Sequence, residues 1–208
     1  MNYKTNTMKK ILTILALTSV NALAADPANL FPEGNFESEP KLSTEPGKIT
    51  GDFSLAEEGT LYIEPGDLKT KGVTVEVENE KGSNFIRYNI PTNAGFTGIL
   101  RTYIVMKVPS SAPATLTVSL RWRLKDFAPQ ANAPEWASAQ VEPAFVVPGS
   151  ETKTINGALR LKQDSNGEWQ EAEASLPVPS GATHLVLCPG IYLGTGTLDL
   201  DDVKIFAE

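Results

Sequence analysis

The sequence predicts an all-β protein, an antiparallel two-sheet β-sandwich, and three observations carry that expectation. Apolar and polar residues alternate with a period of two, in runs bounded by Gly, Pro, Asn and Ser, which is the pattern of half-buried strands. Almost nothing shows the 3.6-residue apolar period of a helix. The opening segment 30–37 and the closing segment 198–205 both read as strands carrying carboxylates where the alternation breaks, and a single domain would lay them side by side.

Residues 1–24 are set aside before the fold is considered. Lys9 and Lys10 form a basic start, 11–17 an apolar stretch, and Ala22-Leu23-Ala24 a small-x-small cleavage site, the three parts of a secretory signal peptide. The expectation is export to the periplasm, the cell surface or the medium, with residues 25–208 as one domain. The apolar stretch is interrupted by Thr13, Thr18, Ser19 and Asn21 and falls short of the roughly 20 apolar residues of a spanning helix, so no membrane span is expected. A remainder of about 184 residues suits one large core and leaves little for a second.

Eighteen basic residues face 25 acidic ones, a net charge of −7. Without Lys4, Lys9 and Lys10 the exported part carries about −10, which argues against nucleic acid as a partner. A monomer is expected. The single cysteine, Cys188, excludes an internal disulfide and reads as a buried thiol, since no strongly basic neighbour would lower its pKa.

The strands follow in order. Val73, Val75 and Val77 alternate with Thr74, Glu76 and Glu78, a turn follows at 79–83, and 85–90 returns as the second arm of a hairpin. In 98–108, Leu100, Ile104, Met106 and Val108 share one face and Arg101, Tyr103 and Lys107 the other, with Pro109 ending the run. The cleanest alternation is in 115–125, where Leu116, Val118, Leu120, Trp122 and Leu124 oppose Thr117, Ser119, Arg121 and Arg123. Further strands are expected at 139–147, 154–161, 168–176, 183–188 and 197–206. The segment 38–67 reads as loop-rich, and the connection 126–138 is long for a hairpin, which marks it as a place for function.

Asn29-Leu30-Phe31-Pro32-Glu33-Gly34-Asn35-Phe36-Glu37 resembles the N-L-hydrophobic-x-N-G-D-F-E opening of galactose-binding-like jelly rolls, especially the carbohydrate-binding modules that accompany xylanases and cellulases. Gly167-Glu168-Trp169-Gln170, the segment 176–182 and the segment 196–203 look like the last three strands of that family. The resemblance implies a jelly roll that binds a polysaccharide or glycoconjugate. It also implies a structural calcium held by the Glu37 side chain, a backbone oxygen near Gly34, and Asp201 or Asp202. Two positions depart from the pattern: Glu33 stands where the family has Asn, and Asn35 where it has Asp.

The residues bear on calcium by themselves. Leu198 and Leu200 place even positions inward and Val203 and Ile205 odd ones, so the alternation slips at Asp201-Asp202 and a β-bulge is expected. Two adjacent carboxylates at a bulge repel each other without a cation, and calcium accepts six to eight carboxylate, carbonyl and water oxygens. The other reading is a solvated acidic edge that discourages strand pairing. Asp199 is expected outward and in solvent.

Sugar rings stack on exposed aromatics and bond to Arg, Asn, Gln and carboxylates. Trp122 and Trp169 read as core. Tyr103, beside Arg101, and Trp136, among Pro134, Glu135 and Ser138, are the candidate platforms, with a loop anchor as the second reading of Trp136. Arg121 and Arg123 are either strand-face cations paired with Glu142 or other acids, or a fork that clamps a hydroxyl or uronate. The second holds if Arg101, Tyr103, Arg121 and Arg123 share one sheet face.

Catalysis finds little footing. His184, the only histidine, lies in a β run with no nucleophile or carboxylate beside it, and no E-x-D-x-x-E strand pattern supplies paired acids for glycoside hydrolysis. The expectation is a non-catalytic glycan-binding module. A cell-surface structural or protein-interaction domain, or a small polysaccharide-acting enzyme, are the alternatives.

Overall fold

The computed structural model describes residues 28–38, 40–43, 60–63, 67–70, 72–111, 113–149, 153–154, 159–161 and 165–207. The expected leader lies outside the described residues, as do most of the loop-rich 38–67 and the middle of the expected strand 154–161.

Two sheets form a jelly-roll β-sandwich. The first has seven strands, in the order β1 (Lys41–Ser43), β2 (Thr60–Ile63), β5 (Ile99–Lys107), β11 (His184–Tyr192), β7 (Ser138–Val146) and β8 (Lys153–Thr154), with β9 (Leu159–Leu161) also on β7. The second has five, in the order β10 (Gln170–Pro177), β6 (Thr115–Pro129), β12 (Gly194–Ala207), β4 (Ser83–Ile90) and β3 (Thr74–Glu80). All pairings are antiparallel except β1 with β2.

The period-2 pattern fixes which side chains fill the space between the sheets. Leu116, Val118, Leu120, Trp122 and Leu124 of β6 are all buried, as are Leu198, Leu200, Val203 and Ile205 of β12. They meet Leu100, Ile104 and Met106 of β5 and Leu185, Leu187 and Ile191 of β11 in one continuous core. Tyr88 crosses it, its hydroxyl 2.6 Å from Thr102 Oγ1, and burial pushes its phenol well above the usual value. β3 and β4 form the expected hairpin. Its two-residue turn, Lys81-Gly82, has positive φ at both positions (55° and 88°), the backbone that best matches strand twist.

The opening segment corrects the expectation of a strand. Residues Pro32–Asn35 form a 3-10 helix, with Phe36 left-handed at φ 55° and its N–H bonded to Glu33 O. Pro32 has no N–H to give a ladder, and its fixed φ suits the first turn of a helix. The segment nevertheless lies along β12 as expected. Leu30 N–H donates to Ile205 O (2.7 Å), and Ile205 N–H donates to Asn29 Oδ1 (3.0 Å), so a side chain replaces one rung. Phe31 and Phe36 enter the core.

The expected bulge is present. The register between β12 and β6 shifts between Asp201 and Lys204, and Asp202 takes φ 51°.

Candidate functional site

The outward alternation of the five-stranded sheet builds a charged face from all five strands. Glu76 of β3 pairs with Arg87 of β4, Arg87 with Asp199 of β12, and Asp199 with Arg123 of β6. One register pair further along, Asp201 stands opposite Arg121, which stands opposite Glu171 of β10. Opposite charges placed directly across strands stabilise the pairing.

Asp199, expected in solvent, is 3% exposed. It accepts from Arg87 Nε (2.7 Å), Arg87 Nη2 (2.9 Å) and Arg123 Nε (2.6 Å). Three charge-assisted bonds offset the cost of burying that carboxylate. Arg123 also donates to Glu80 from Nη1 (2.6 Å), which holds the exposed Glu80 carboxyl below its usual range. The Asp199 bond raises the Arg87 guanidinium above its usual value against the effect of burial.

Trp169 sits on this face and is partly exposed, where core packing was expected. The chain joins β10 only at Gln170, leaving Trp169 free to lie over the arginines. Its ring meets Phe85 edge-on at 5.7 Å, and the guanidiniums of Arg121 and Arg123 stack on it at 5.0 and 4.6 Å. A cavity of about 430 Å³ opens here between Trp169, Phe85, Arg121, Arg123, Glu80 and Asp201. Neither Trp169 nor the Phe85–Arg87–Asp199 group stood out in the sequence as site residues. The G-E-W-Q motif was the one signal for Trp169.

The expected cluster of four does not form. Arg121 and Arg123 belong to the five-stranded sheet, whereas Arg101 and Tyr103 lie on β5 of the other sheet. Tyr103 is 4% exposed, packed on Tyr62 with ring centroids 5.7 Å apart and Arg101 stacked over it, so it offers no open platform. The outer face of that sheet is apolar, with Tyr62, Val105, Ala144, Val146, Val186 and Cys188 in one cluster. Tyr192 is buried as well, its hydroxyl donating to Cys188 O. Glu142 is on this sheet too, so it is not the partner of Arg121 or Arg123.

Trp136 is 40% exposed, the one large apolar side chain so exposed among the described residues. It sits in two successive turns between β6 and β7, closed by Ala133 N–H to Gln130 O and Ala137 N–H to Pro134 O. Gln130 ties the loop base to Phe96 O and Leu193 O.

At the bulge, the expected metal ligands have different partners. Asp201 is buried, and burial raises its carboxyl above the usual range, helped by Asp202 and Glu37 and opposed by the Asp202 N–H and Arg121. Asp202 is turned to Lys204 (3.6 Å) and Arg121 (3.8 Å). Glu37 accepts from Ser83 Oγ (3.0 Å). Gly34 lies where a Cβ would overlap the Val203 carbonyl oxygen, so it is required by packing against β12. Among the described residues no group of three or more His, Cys, Asp or Glu converges to hold a metal. A hard cation here would have Glu37 and Asp201 as its carboxylates and would need backbone oxygens and water to complete its shell.

No protein-family model matches the chain, and no curated protein is similar to it. Solved structures are. The CBM22-2 xylan-binding domain from Paenibacillus barcinonensis Xyn10C is 13% identical, with 84% of this chain and 98% of that one covered and a TM-score of 0.44. The CBM22-1-GH10 modules of Clostridium thermocellum endo-1,4-beta-D-xylanase 10B, complexed with xylohexaose, are 14% identical, covering 71% and 26% at TM-score 0.45. The enzymatically active domain of tailspike protein 4 from bacteriophage CBA120 is 10% identical over 65% of this chain at TM-score 0.46, and this chain spans 18% of it. Carbohydrate-binding modules are thus among the neighbours, the family that the sequence's end motifs resemble.

Proposed function

We propose that this chain is an exported, non-catalytic glycan-binding module whose ligand lies across the outer face of the five-stranded sheet. The observation that carries the reading is Trp169, held by two guanidiniums and Phe85 at a cavity rimmed with forked donors and carboxylates. A sugar ring presents a C–H face suited to a π surface and hydroxyls suited to such a rim. Trp136 is a second, loop-borne platform. Asp199 and Glu80 are both engaged by arginines, which favours binding over hydrolysis at those two carboxylates. A calcium ion on Glu37 and Asp201 belongs to the same reading as a structural ion.

A glycan-array screen tests it, with Trp169→Ala and Trp136→Ala beside the parent. Each aromatic contact contributes on the order of 1 kcal/mol beyond area burial, so loss of Trp169 should weaken binding by several-fold to tenfold. Absence of binding to plant, microbial and host glycans would leave a protein-interaction domain as the reading. Release of reducing ends from a bound glycan would make the protein an enzyme.

A further inference from the structure

Beside the Trp169 cavity lies a second one of about 300 Å³, lined by Arg87, Arg123, Lys125, Gly167, Thr197 and Asp199. Arg123 and Gly167 line both, so the two adjoin. Three cations meet one carboxylate here, in a chain whose acids outnumber its bases.

Asp199 accepts three guanidinium bonds from two arginines, where one arginine would have sufficed to neutralise it. The bonds fix two planar forks side by side, with their orientation set before any ligand arrives. The acids that face these forks from neighbouring strands are Glu76, opposite Arg87 in the register, Glu78, 3.9 Å from Arg87, and Glu80, on Arg123, and none of the three lines the cavity. Lys125 is exposed, stands opposite Thr197 in the β6–β12 register, and has no ion-pair partner among the described residues. A ring of strands tied by a salt bridge accounts for Arg87 and Arg123 but leaves Lys125 and the hollow unexplained.

We propose that this hollow is an oxyanion subsite, taking the carboxylate or sulfate ester of an acidic glycan whose adjoining sugar lies against Trp169. The proposal rests on the glycan-binding reading and narrows it to acidic polysaccharides. Arg87 Nη1 and Arg123 Nη2, which Asp199 and Glu80 leave free, and the Lys125 ammonium can donate to the oxygens of a carboxylate or sulfate, and a concave site focuses their field against the negative charge of the rest of the molecule. That overall negative charge repels polyanions, so attraction to one must come from a local site.

Affinity electrophoresis and calorimetry on the full chain test this with two matched pairs: polygalacturonate against its methyl ester, and dextran sulfate against dextran. At least one anionic member should bind more tightly than its neutral partner, and which one does so separates carboxylate from sulfate. Lys125→Glu should weaken that binding by about tenfold, with Lys125→Gln intermediate. Lys107→Glu, an equal charge change at an exposed position on the other sheet, should leave it unchanged. Circular dichroism confirms that each variant is folded. Equal losses in Lys125→Glu and Lys107→Glu, or equal binding within both pairs while neutral glycans are still bound, would overturn the subsite and leave the glycan reading standing. Failure of every glycan on the array removes both.

Discussion

Gly34 shows how much a single position can demand. Its place in the opening 3-10 helix is set by Pro32 before it and by the left-handed Phe36 after it, and both phenylalanines that flank the helix reach the core. The helix therefore presses directly on β12, where a Cβ at position 34 would overlap the Val203 carbonyl oxygen and crowd the Phe31 ring. Backbone cannot yield as the tip of a long side chain can. Gly34→Ala is expected to cost on the order of 3 kcal/mol, the range of an overpacked core site. Gly98→Ala is the control, because a Cβ there meets only the Phe96 ring at an ordinary 3.5 Å. Its cost should stay within about 0.5 kcal/mol. Urea unfolding of the two variants measures the difference, and equal midpoints would show that the helix shifts away from β12 with little resistance.

At the scale of elements, β12 does the most, since it pairs with β4 and β6, carries the bulge and receives the opening helix. The bulge turns Asp201 into a buried carboxylate whose ionised form is disfavoured by its surroundings. A cation binding the native state there stabilises by RT ln(1 + [L]/Kd), about 2.7 kcal/mol at a hundredfold excess over Kd. Calcium should therefore raise the Tm, chelator should lower it, and Glu37→Ala should abolish the response. A melting curve of stripped protein indifferent to added calcium would leave Asp201 as the acidic strand position alone. The bulge was legible in the sequence because it breaks a strict alternation between Leu200 and Val203. So was β6, whose five apolar positions all enter the core. The opening helix was not, because Leu30 and Phe31 look the same in either structure and only Pro32 argues against a strand. Tyr103 misled for a related reason. Alternation shows that it leaves the core face, and cannot show that the outer face of its sheet is apolar too, with Tyr62, Val146 and Val186 arriving from three other strands. The Arg87–Asp199–Arg123 network was hidden by distance along the chain. Residues 112 apart meet only because β12 is inserted between β4 and β6, an order that no local pattern encodes.

For the molecule as a whole, the described residues between the sheets form one cluster running from Phe31 to Ile205, so the two ends of the domain close the sandwich together. Leu30 and Asn29 supply two bonds to Ile205, and Phe31 and Phe36 supply the apolar mass behind them. This arrangement predicts opposite consequences for two truncations. A chain beginning at Ala25 keeps every core residue, binds the same ligands and should unfold in one transition, as expected if residues 1–24 are removed on export. A chain beginning at Glu37 loses both phenylalanines and the two bonds. Truncating a buried Phe typically costs about 3–5 kcal/mol, and a domain of this kind holds only about 5–15 kcal/mol in all. The shorter chain should therefore be largely unfolded at 37 °C, with exposed apolar surface detectable by dye binding. Recovery on adding a synthetic peptide of residues 25–38 would confirm that the loss lies in the clasp itself. A shorter chain that melts within a few degrees of the longer one would mean that the sheets hold each other without it.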